Sequence, residues 1–175
     1  MLIFLIFNLL LVAILLFLIF AFSMFWPPDS PWAPWWRTDK KMAEAICRFA
    51  KIGKDDVVYD LGCGDAEVLL IAAKKYGAKG VGIEIDLLRF LTAKIRVLNN
   101  RLGKSIKIKR GNFFKTDLSK ATIVNVYLVP KTLEKLKAKF LEELNPGTKI
   151  VSYKYEMSLG KIAEDKRKKL FLYQI

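Results

Sequence analysis

The feature that most constrains the fold is a glycine-containing loop at residues 57–67, between a strand pattern and a helix pattern. The stretch reads VVYDLGCGDAE, so that Asp60 precedes Gly62 and Gly64. Residues without a Cβ let the backbone pass close under a ligand, and a helix that follows directly presents free N–H groups to it. A second strand pattern, GVGIE, ends on Glu84, whose carboxylate can accept both hydroxyls of a ribose. These residues predict a nucleoside-cofactor site at the carboxyl edge of a parallel sheet.

The details of the loop favour S-adenosylmethionine over a dinucleotide. Glu67 occupies the third small position of the G-x-G-x-x-G/A fingerprint and would bring negative charge to a pyrophosphate. Asp60 could instead face a cationic amino or sulfonium group, and S-adenosylmethionine carries both without a phosphate. D-L-G-C-G resembles the first motif of class I methyltransferases, with Ala66 at its last glycine, which alanine tolerates if the backbone there is helical. The alternative is a loop that is glycine-rich only for tight packing.

Residues 1–26 form a segment without charge, in which only Asn8 and Ser23 are polar. About 20 apolar helical residues cross a hydrocarbon core, so we predict a transmembrane helix in contact with the lipid bilayer. A cleaved secretory signal, the alternative, would have a basic start and a shorter apolar stretch. Residues 27–37 are rich in proline and tryptophan and predict an interfacial connector, in which Trp35 and Trp36 either anchor at the interface or also cover the active site. Residues 38–175 then form the methyltransferase domain.

The charge distribution predicts the orientation of the chain. All 30 Lys and Arg lie from Arg37 onward with 16 of the 17 acids, which gives this part a charge of +14. Because positive charge beside a span stays on the cytoplasmic side, we expect a single-pass membrane protein with its N-terminus outside and its domain on the cytoplasmic or matrix side. The basic surplus suits anionic lipid headgroups, whereas nucleic acid is disfavoured because no basic motif is interleaved with aromatic residues. Two cysteines without a histidine give no metal-ligand pattern, so no metal is expected.

Strand and helix patterns alternate through the rest of the chain. Apolar periodicity predicts helices at 39–50, 66–76, 86–101 and 131–144, and strands at 57–60, 80–84, 106–109, 122–129, 149–153 and 169–175. Such alternation predicts an α/β fold with a doubly wound, mostly parallel, Rossmann-like sheet and helices on both faces, preceded here by one N-terminal transmembrane helix. The short tail suits an antiparallel edge strand.

Further site candidates follow the third and fourth strands, where ligands of such folds bind. Asn112 occupies the position of an acid that contacts the adenine amino group in methyltransferases. Phe113 either flanks the adenine ring or belongs to the core, and the same holds for Phe114. Asn125 is the one polar side chain in the apolar run IVNVYLV, and a buried amide needs partners, either in the cofactor or substrate or within the fold.

The region IVNVYLVPKTLEKLKAKFLEELNPGTKIVSYK resembles the telomeric-silencing type of histone lysine methyltransferase, which has V-N-N-F and G-G-x-I-V-S-S-K segments. The chain is also similar to small membrane-anchored mitochondrial protein-lysine methyltransferases, with their apolar span, proline–aromatic connection and D-L-G-S-G-D loop. This resemblance implies S-adenosylmethionine as cofactor and a protein-lysine N-methyltransferase activity. It departs where Val126 replaces the second Asn of V-N-N-F. The residues assigned to cofactor binding are Asp60, Gly62, Cys63, Gly64, Glu84, Ile85, Asn112, Phe113 and Asn125, and those assigned to catalysis are Asn125 and Tyr127.

Three hypotheses about function follow. The first is a membrane-anchored methyltransferase that modifies a lysine of a membrane or membrane-proximal protein. The second is methylation of a lipid, quinone or other membrane-soluble molecule delivered along the span. The third is a protein that binds the cofactor without catalysis, suggested by Ala66 and Asn112 in place of Gly and Asp. A strong general base is not required for methyl transfer to an amine, which suits a chain without histidine. Tyr127, with Tyr153 or Tyr155, is a candidate for lining a lysine channel.

Overall fold

The computed structural model describes residues 1–25 and 36–175 and divides into two compact units, Met1–Trp36 and Arg37–Ile175. In the first unit, helix α1 (Leu2–Phe25) includes a stretch, Leu2–Phe22, that is long and apolar enough to cross a membrane. The Nδ2 of Asn8 donates to the carbonyl oxygen of Phe4 at 2.7 Å, so this amide is satisfied within its own helix. Most of the predicted connector, including Trp26, Trp32 and Trp35, lies outside the described residues.

The second unit contains four helices and seven strands. The helices are α2 (Lys40–Phe49), α3 (Glu67–Tyr76), α4 (Leu87–Asn99) and α5 (Pro130–Glu143). The strands are β1 (Val57–Leu61), β2 (Lys79–Glu84), β3 (Ile106–Arg110), β4 (Ile123–Val126), β5 (Lys149–Tyr153), β6 (Lys161–Asp165) and β7 (Leu170–Gln174). Asp39 and Asp86 begin α2 and α4, since each side chain accepts the backbone N–H three residues later.

All seven strands form one sheet in the order β3-β2-β1-β4-β5-β7-β6. The first five strands are mutually parallel, and β7 is antiparallel to both of its neighbours. This arrangement confirms the predicted doubly wound, mostly parallel sheet. Strand order reverses between β1 and β4, which is where ligands bind in such folds.

Helices cover both faces of this sheet, as predicted. One apolar cluster joins α2, α3 and α4 through residues such as Ile46, Leu69 and Val97. The other contains Leu133 and Phe140 of α5. Successive residues of β1 point into alternate clusters, because side chains alternate along a strand.

Three strand predictions were wrong in detail. Strand β6 was missed because its residues are mostly exposed and carry no apolar alternation, and its presence moves the tail strand β7 from the edge to an interior position. The fourth strand ends at Val126 instead of residue 129, because Val129 already turns the chain into α5. Pro130 occupies the first turn of α5, where proline is favoured, and it keeps the preceding residue out of the helix.

Candidate active site

The glycine loop between β1 and α3 depends on backbone conformations that glycine adopts readily. Gly62 and Gly64 have φ of 78° and 55°, in the left-handed region. The N–H groups of Gly62 and Cys63 both donate to the carbonyl oxygen of Ile83, at 2.8 and 3.0 Å. These bonds hold the loop against the end of β2, so that the loop and the second strand meet at one edge of the sheet.

Ala66 also has a left-handed backbone, with φ 63° and ψ 26°. The helical backbone that would make alanine easily tolerated there is therefore not formed, and the helix begins at Glu67 instead of the predicted residue 66. A non-glycine residue in this region costs about 1–2 kcal/mol, and Ala66 is fully buried. The loop keeps the shape that a third glycine would allow, at an energetic cost.

The Cys63 side chain packs against β2. A methyl group placed on Gly82 would lie only 2.7 Å from the Cys63 Sγ, so the sulfur covers that glycine directly. Burial raises the pKa of the Cys63 thiol well above its ordinary value, which makes it an unreactive packing group. Contact of Cys63 with a ligand would therefore be made through its backbone.

Glu84 lies buried at the end of β2 and holds two backbone N–H groups. Its Oε2 accepts from Gly64 at 2.9 Å, and its Oε1 accepts from Asp86 at 3.0 Å. Burial raises the pKa of Glu84, while these two N–H groups oppose the rise. An ionised carboxylate has about four acceptor positions, so each oxygen keeps one for a further donor such as a hydroxyl.

Asp60 and Asn125 form a buried pair at the carboxyl ends of β1 and β4, which are adjacent in the sheet. The Asn125 Nδ2 donates to the Asp60 Oδ1 at 2.7 Å. Burial raises the pKa of Asp60 to about 7; the Asn125 amide opposes this rise. The nearby carboxylates of Glu84 and Asp65 add to it.

The Oδ1 of Asn125 has no hydrogen-bond partner among the described residues, although it is buried. A buried polar atom without a partner costs free energy comparable to a lost hydrogen bond. A partnerless amide oxygen beside a carboxylate is suited to a cationic N–H donor. The pair therefore fits a ligand that brings an ammonium group to this edge of the sheet.

The adenine-site candidates follow β3. The Oδ1 of Asn112 accepts from the Phe114 N–H at 2.9 Å and begins a short 3₁₀ turn, Phe113–Lys115. The Phe113 and Phe114 rings lie 4.9 Å apart and both are half-buried against the α5 side of the core. Ile85 is half-buried directly after Glu84. Asn112 thus has a structural role of its own, and one acceptor position of its oxygen is already used.

Tyr127 belongs to a cluster of tyrosines beyond the ends of β4 and β5. Its ring centroid lies 4.5 Å from that of Tyr153. The Nζ of Lys154 lies 5.9 Å from the Tyr127 ring centroid, 5.8 Å from that of Tyr155 and 3.5 Å from the Tyr127 hydroxyl. The hydrogen bond to the Tyr127 hydroxyl raises the pKa of Lys154. The cluster thus accommodates an ammonium group among aromatic rings, a role for Lys154 that the sequence signalled only by placing it between two tyrosines.

The acids of the loop are neutralised by Arg96 of α4. Its guanidinium lies 2.7 Å from an Asp65 carboxylate oxygen and 2.5 Å from one of Glu67, and Arg37 also pairs with Asp65 at 2.8 Å. The negative charge that Glu67 was expected to bring to the helix start is therefore compensated by Arg96. Periodicity placed Arg96 on a helix without indicating this partner, because the contact spans 29 residues.

The sheet brings Asp60, Asn125 and Glu84 together with the glycine loop at the ends of three adjacent strands. Their donor and acceptor chemistry fits S-adenosylmethionine: acceptors for a ribose, acceptors for an ammonium group, and a close backbone approach without a phosphate cradle. A seven-stranded sheet of this order with such a site defines a class I S-adenosylmethionine-dependent methyltransferase.

Comparisons with known proteins extend this assignment. Residues 60–163 match the family model described as the ANTKMT methyltransferase domain. A protein-lysine N-methyltransferase of Saccharolobus islandicus is 38% identical over 135 residues, which are 77% of this chain and 82% of that protein. A lysine N-methyltransferase of Caenorhabditis elegans, named for the ATP synthase, is 28% identical over 66% of this chain and 60% of its own length.

A solved structure agrees with these relatives in fold. The RNA methyltransferase of Salinibacter ruber, crystallised with S-adenosyl-L-homocysteine, superposes with a TM-score of 0.77 and 31% identity. The match covers 80% of this chain and 94% of that one. The chain belongs to the ANTKMT methyltransferase domain family. It is an S-adenosylmethionine-dependent methyltransferase.

Proposed function

We propose that this methyltransferase is anchored in a membrane by α1 and methylates a lysine of a membrane or membrane-proximal protein. The observation that carries the proposal is that Leu2–Phe22, an apolar stretch of 21 residues, is part of the same chain as the methyltransferase domain. The C. elegans relative, which is named for a lysine of the ATP synthase, supports a substrate of this kind. All 30 Lys and Arg lie from Arg37 onward and none precedes it, which supports an N-terminus outside and a domain on the cytoplasmic or matrix side.

The proposed cofactor site uses the carboxyl ends of β1, β2 and β4. Glu84 accepts the ribose hydroxyls with the acceptor positions that its two backbone donors leave open. Asp60 and the free Oδ1 of Asn125 accept from the cationic methionyl end. Gly62 and Gly64 let the loop approach closely. The remaining cofactor contacts are assigned to Cys63, Ile85, Asn112 and Phe113.

Bound S-adenosylmethionine supplies an electrophilic methyl group on a sulfonium, and the protein has to position the amine that receives it. We assign this positioning to Tyr127 and Asn125. The tyrosine cluster already holds the ammonium of Lys154 close to two rings. A substrate lysine would occupy the same aromatic surroundings, where contact with the ring faces would hold and orient its amino group.

Methyl transfer to membrane fractions tests the proposal. The full chain, purified in detergent, is incubated with tritiated S-adenosylmethionine and membranes of the source organism, and label is then measured in gel bands, lipid extract and RNA. We expect a labelled protein band that yields methyl-lysine on hydrolysis and is lost in the Glu84→Ala variant. Label confined to lipid would support the second hypothesis, and label confined to RNA would favour the activity named for the S. ruber protein; either result would refute ours.

The anchor is tested separately in the full chain. Leu11→Lys places a charge at the centre of α1, which costs about 3 kcal/mol for insertion. Wild type should remain in the membrane pellet after alkaline extraction, and the variant should be released. Asn8→Leu is the matched control, since it removes the one polar side chain of Leu2–Phe22 and should retain the protein in the pellet. A shortened wild-type chain lacking the apolar residues would instead identify a cleaved signal.

A further inference from the structure

Helix α4 exposes an apolar stripe on the side that faces away from the sheet. Its buried residues are Arg89, Ala93 and Val97. On the opposite side, Ile95 and Leu98 are 57% and 64% exposed. The stripe consists of Leu87, Leu88, Leu91, Ile95 and Leu98. These are five of the seven large apolar residues that are exposed between Arg37 and Ile175. A concentration of this kind on one helix differs from the single exposed apolar residues that most surfaces carry.

The stripe lies within a stretch that contains no acidic residue. Residues 87–110 contain eight Lys and Arg and no Asp or Glu. Arg96 is paired with the loop acids and Arg89 is buried. The six remaining cations are exposed: Lys94, Arg101, Lys104, Lys107, Lys109 and Arg110.

Three of these cations meet the C-terminal end of the apolar stripe in one depression. Lys94 and Leu98 of α4 line the same shallow depression as Lys107 and Lys109 of the adjoining strand β3. Strand β3 is also the edge of the sheet, and its exposed lysines alternate with Ile106 and Ile108, which pack in the cluster that contains α4. We call the stripe together with Lys94, Lys107 and Lys109 the α4–β3 face.

We propose that the α4–β3 face docks onto an anionic lipid bilayer, with α4 in the plane of the headgroups. A helix with leucines on one side and flanking basic residues is suited to such an interface, where the apolar groups enter the acyl boundary and the cations meet acidic headgroups. This inference rests on the proposed membrane anchor, because the 11 residues between Phe25 and Arg37 can span at most about 40 Å and keep the domain near the bilayer.

Other occupants suit this face less well. A second copy of the chain, placed by a two-fold axis, would bring two acid-free basic surfaces together. Single-stranded RNA would be expected to stack its bases on aromatic side chains, and the stripe consists of leucine and isoleucine. An anionic bilayer is the partner that uses both the charge and the apolar groups.

Docking would orient the candidate active site relative to the membrane. Helix α4 begins three residues after Glu84, so its first turn, with Leu87 and Leu88, adjoins the cofactor edge of the sheet. With α4 in the headgroup layer, that edge lies beside the bilayer surface. A lysine close to the end of a transmembrane segment would then be within reach, whereas one on a distant soluble domain would not.

A site-specific fluorescent label tests the docking in the full chain. Cys47 and Cys63 are both buried, so an introduced surface cysteine can be labelled selectively. Ile95→Cys places an environment-sensitive dye on the stripe, and Leu141→Cys places it on α5, where Leu141 is 56% exposed on the other side of the sheet. Both proteins are reconstituted into phosphatidylcholine vesicles with or without phosphatidylglycerol, with a lipid-chain nitroxide as quencher.

We expect quenching at position 95 in vesicles with phosphatidylglycerol and little at position 141. Replacing both Lys107 and Lys109 by Gln should lower the docking equilibrium constant roughly 25-fold, since each cation near an anionic surface contributes about fivefold. High salt should have a similar effect, because the Debye length falls from about 10 Å to about 3 Å at 1 M.

Flotation of the same vesicles separates the two levels of the proposal. If the protein floats with the vesicles but is quenched equally at positions 95 and 141, the anchor is retained and the proposed docking of the α4–β3 face is refuted. Protein that does not float overturns the anchor, and the docking inference with it. If soluble RNA at equimolar concentration abolishes the quenching, the α4–β3 face binds RNA, and the proposal is refuted.

Discussion

The pKa of Asp60 predicts that cofactor binding depends on pH near neutrality. Asp60 is buried, and its pKa is about 7, far above the ordinary 3.8 of an aspartate. Only the ionised carboxylate can pair with a cationic group, so the free protein has to lose this proton before or during binding. Affinity for S-adenosylmethionine should therefore rise with pH up to about 7 and then level off.

The expected size of the effect follows from the ionised fraction of Asp60. Between about pH 7.5 and pH 5.5 that fraction falls roughly 20-fold, and the apparent dissociation constant should rise by the same factor. At pH 7, close to half a proton should be released for each cofactor bound. The α-amino group of the cofactor stays largely protonated in this range, because α-amino groups titrate near about 8.

Stability of the cofactor-free protein should change in the opposite sense. A raised pKa in the folded state means that the contribution of Asp60 to stability is fully present below its unfolded value of 3.8. It is lost as the pH rises through about 7, with a total of the order of 4 kcal/mol. S-adenosylmethionine should therefore raise the melting temperature more at pH 8 than at pH 5.5.

Isothermal titration calorimetry measures both quantities. Titrations at several pH values, each in two buffers of different ionisation enthalpy, yield the dissociation constant and the number of protons released. Asp60→Asn should bind weakly and lose the pH dependence between pH 5.5 and 7.5. S-adenosylhomocysteine keeps the amino group and lacks the sulfonium charge. Comparing the pH dependence of its affinity with that of S-adenosylmethionine shows whether Asp60 pairs with the ammonium group or with the sulfonium. The reasoning would be refuted if wild type bound with one affinity across this range and released no proton.

Three further predictions concern packing, the amide and the aromatic cluster. Gly82→Ala places a methyl within 3 Å of three side-chain atoms and should lower the free energy of unfolding by about 1–3 kcal/mol in urea denaturation. The control is Gly160→Ala, whose methyl meets nothing within 4 Å and should leave the free energy of unfolding unchanged. Asn125→Ala removes the amide that holds Asp60 and the oxygen assigned to the cationic end of the cofactor, and it should weaken cofactor binding about 10- to 100-fold in calorimetry. Unchanged affinity would contradict the assignment of Asn125 to cofactor binding. Lys154→Met removes the ammonium group that lies in the aromatic cluster and should lower the KM for the protein substrate about two- to fivefold. Tyr127→Phe should lower kcat up to about tenfold with cofactor affinity unchanged. A Lys154→Met enzyme with the wild-type KM would exclude that cluster as the lysine path.

The meeting of the glycine loop with Glu84 could be predicted from the sequence. A strand pattern, a glycine turn, a helix pattern and a second strand form one local unit, and parallel strands place their carboxyl ends at the same edge. The structure confirms that juxtaposition, because Gly64 donates to Glu84. The cofactor roles of both residues remain predictions that the experiments above test.

Predictions that depended on backbone torsion or long-range contacts succeeded less often. Ala66 was expected in a helical conformation and lies in the left-handed region, because bonds to neighbouring elements determine the loop's path. Strand β6 was missed because an exposed strand has little apolar signal. The partner of Glu67 was not predicted, since local sequence does not show that Arg96 lies beside it.

The sequence by itself determined the apolar segment, the basic domain, the sheet class and the acids at the cofactor edge, because composition and short-range periodicity encode these directly. Only the tertiary structure decided that Asn125 approaches Asp60 with one amide oxygen left without a partner among the described residues. It also decided that Lys107 and Lys109 of β3 line one depression with Leu98 of α4. Both results depend on which residues far apart in the chain become neighbours, and strand order and helix packing establish that only when the whole sheet has formed.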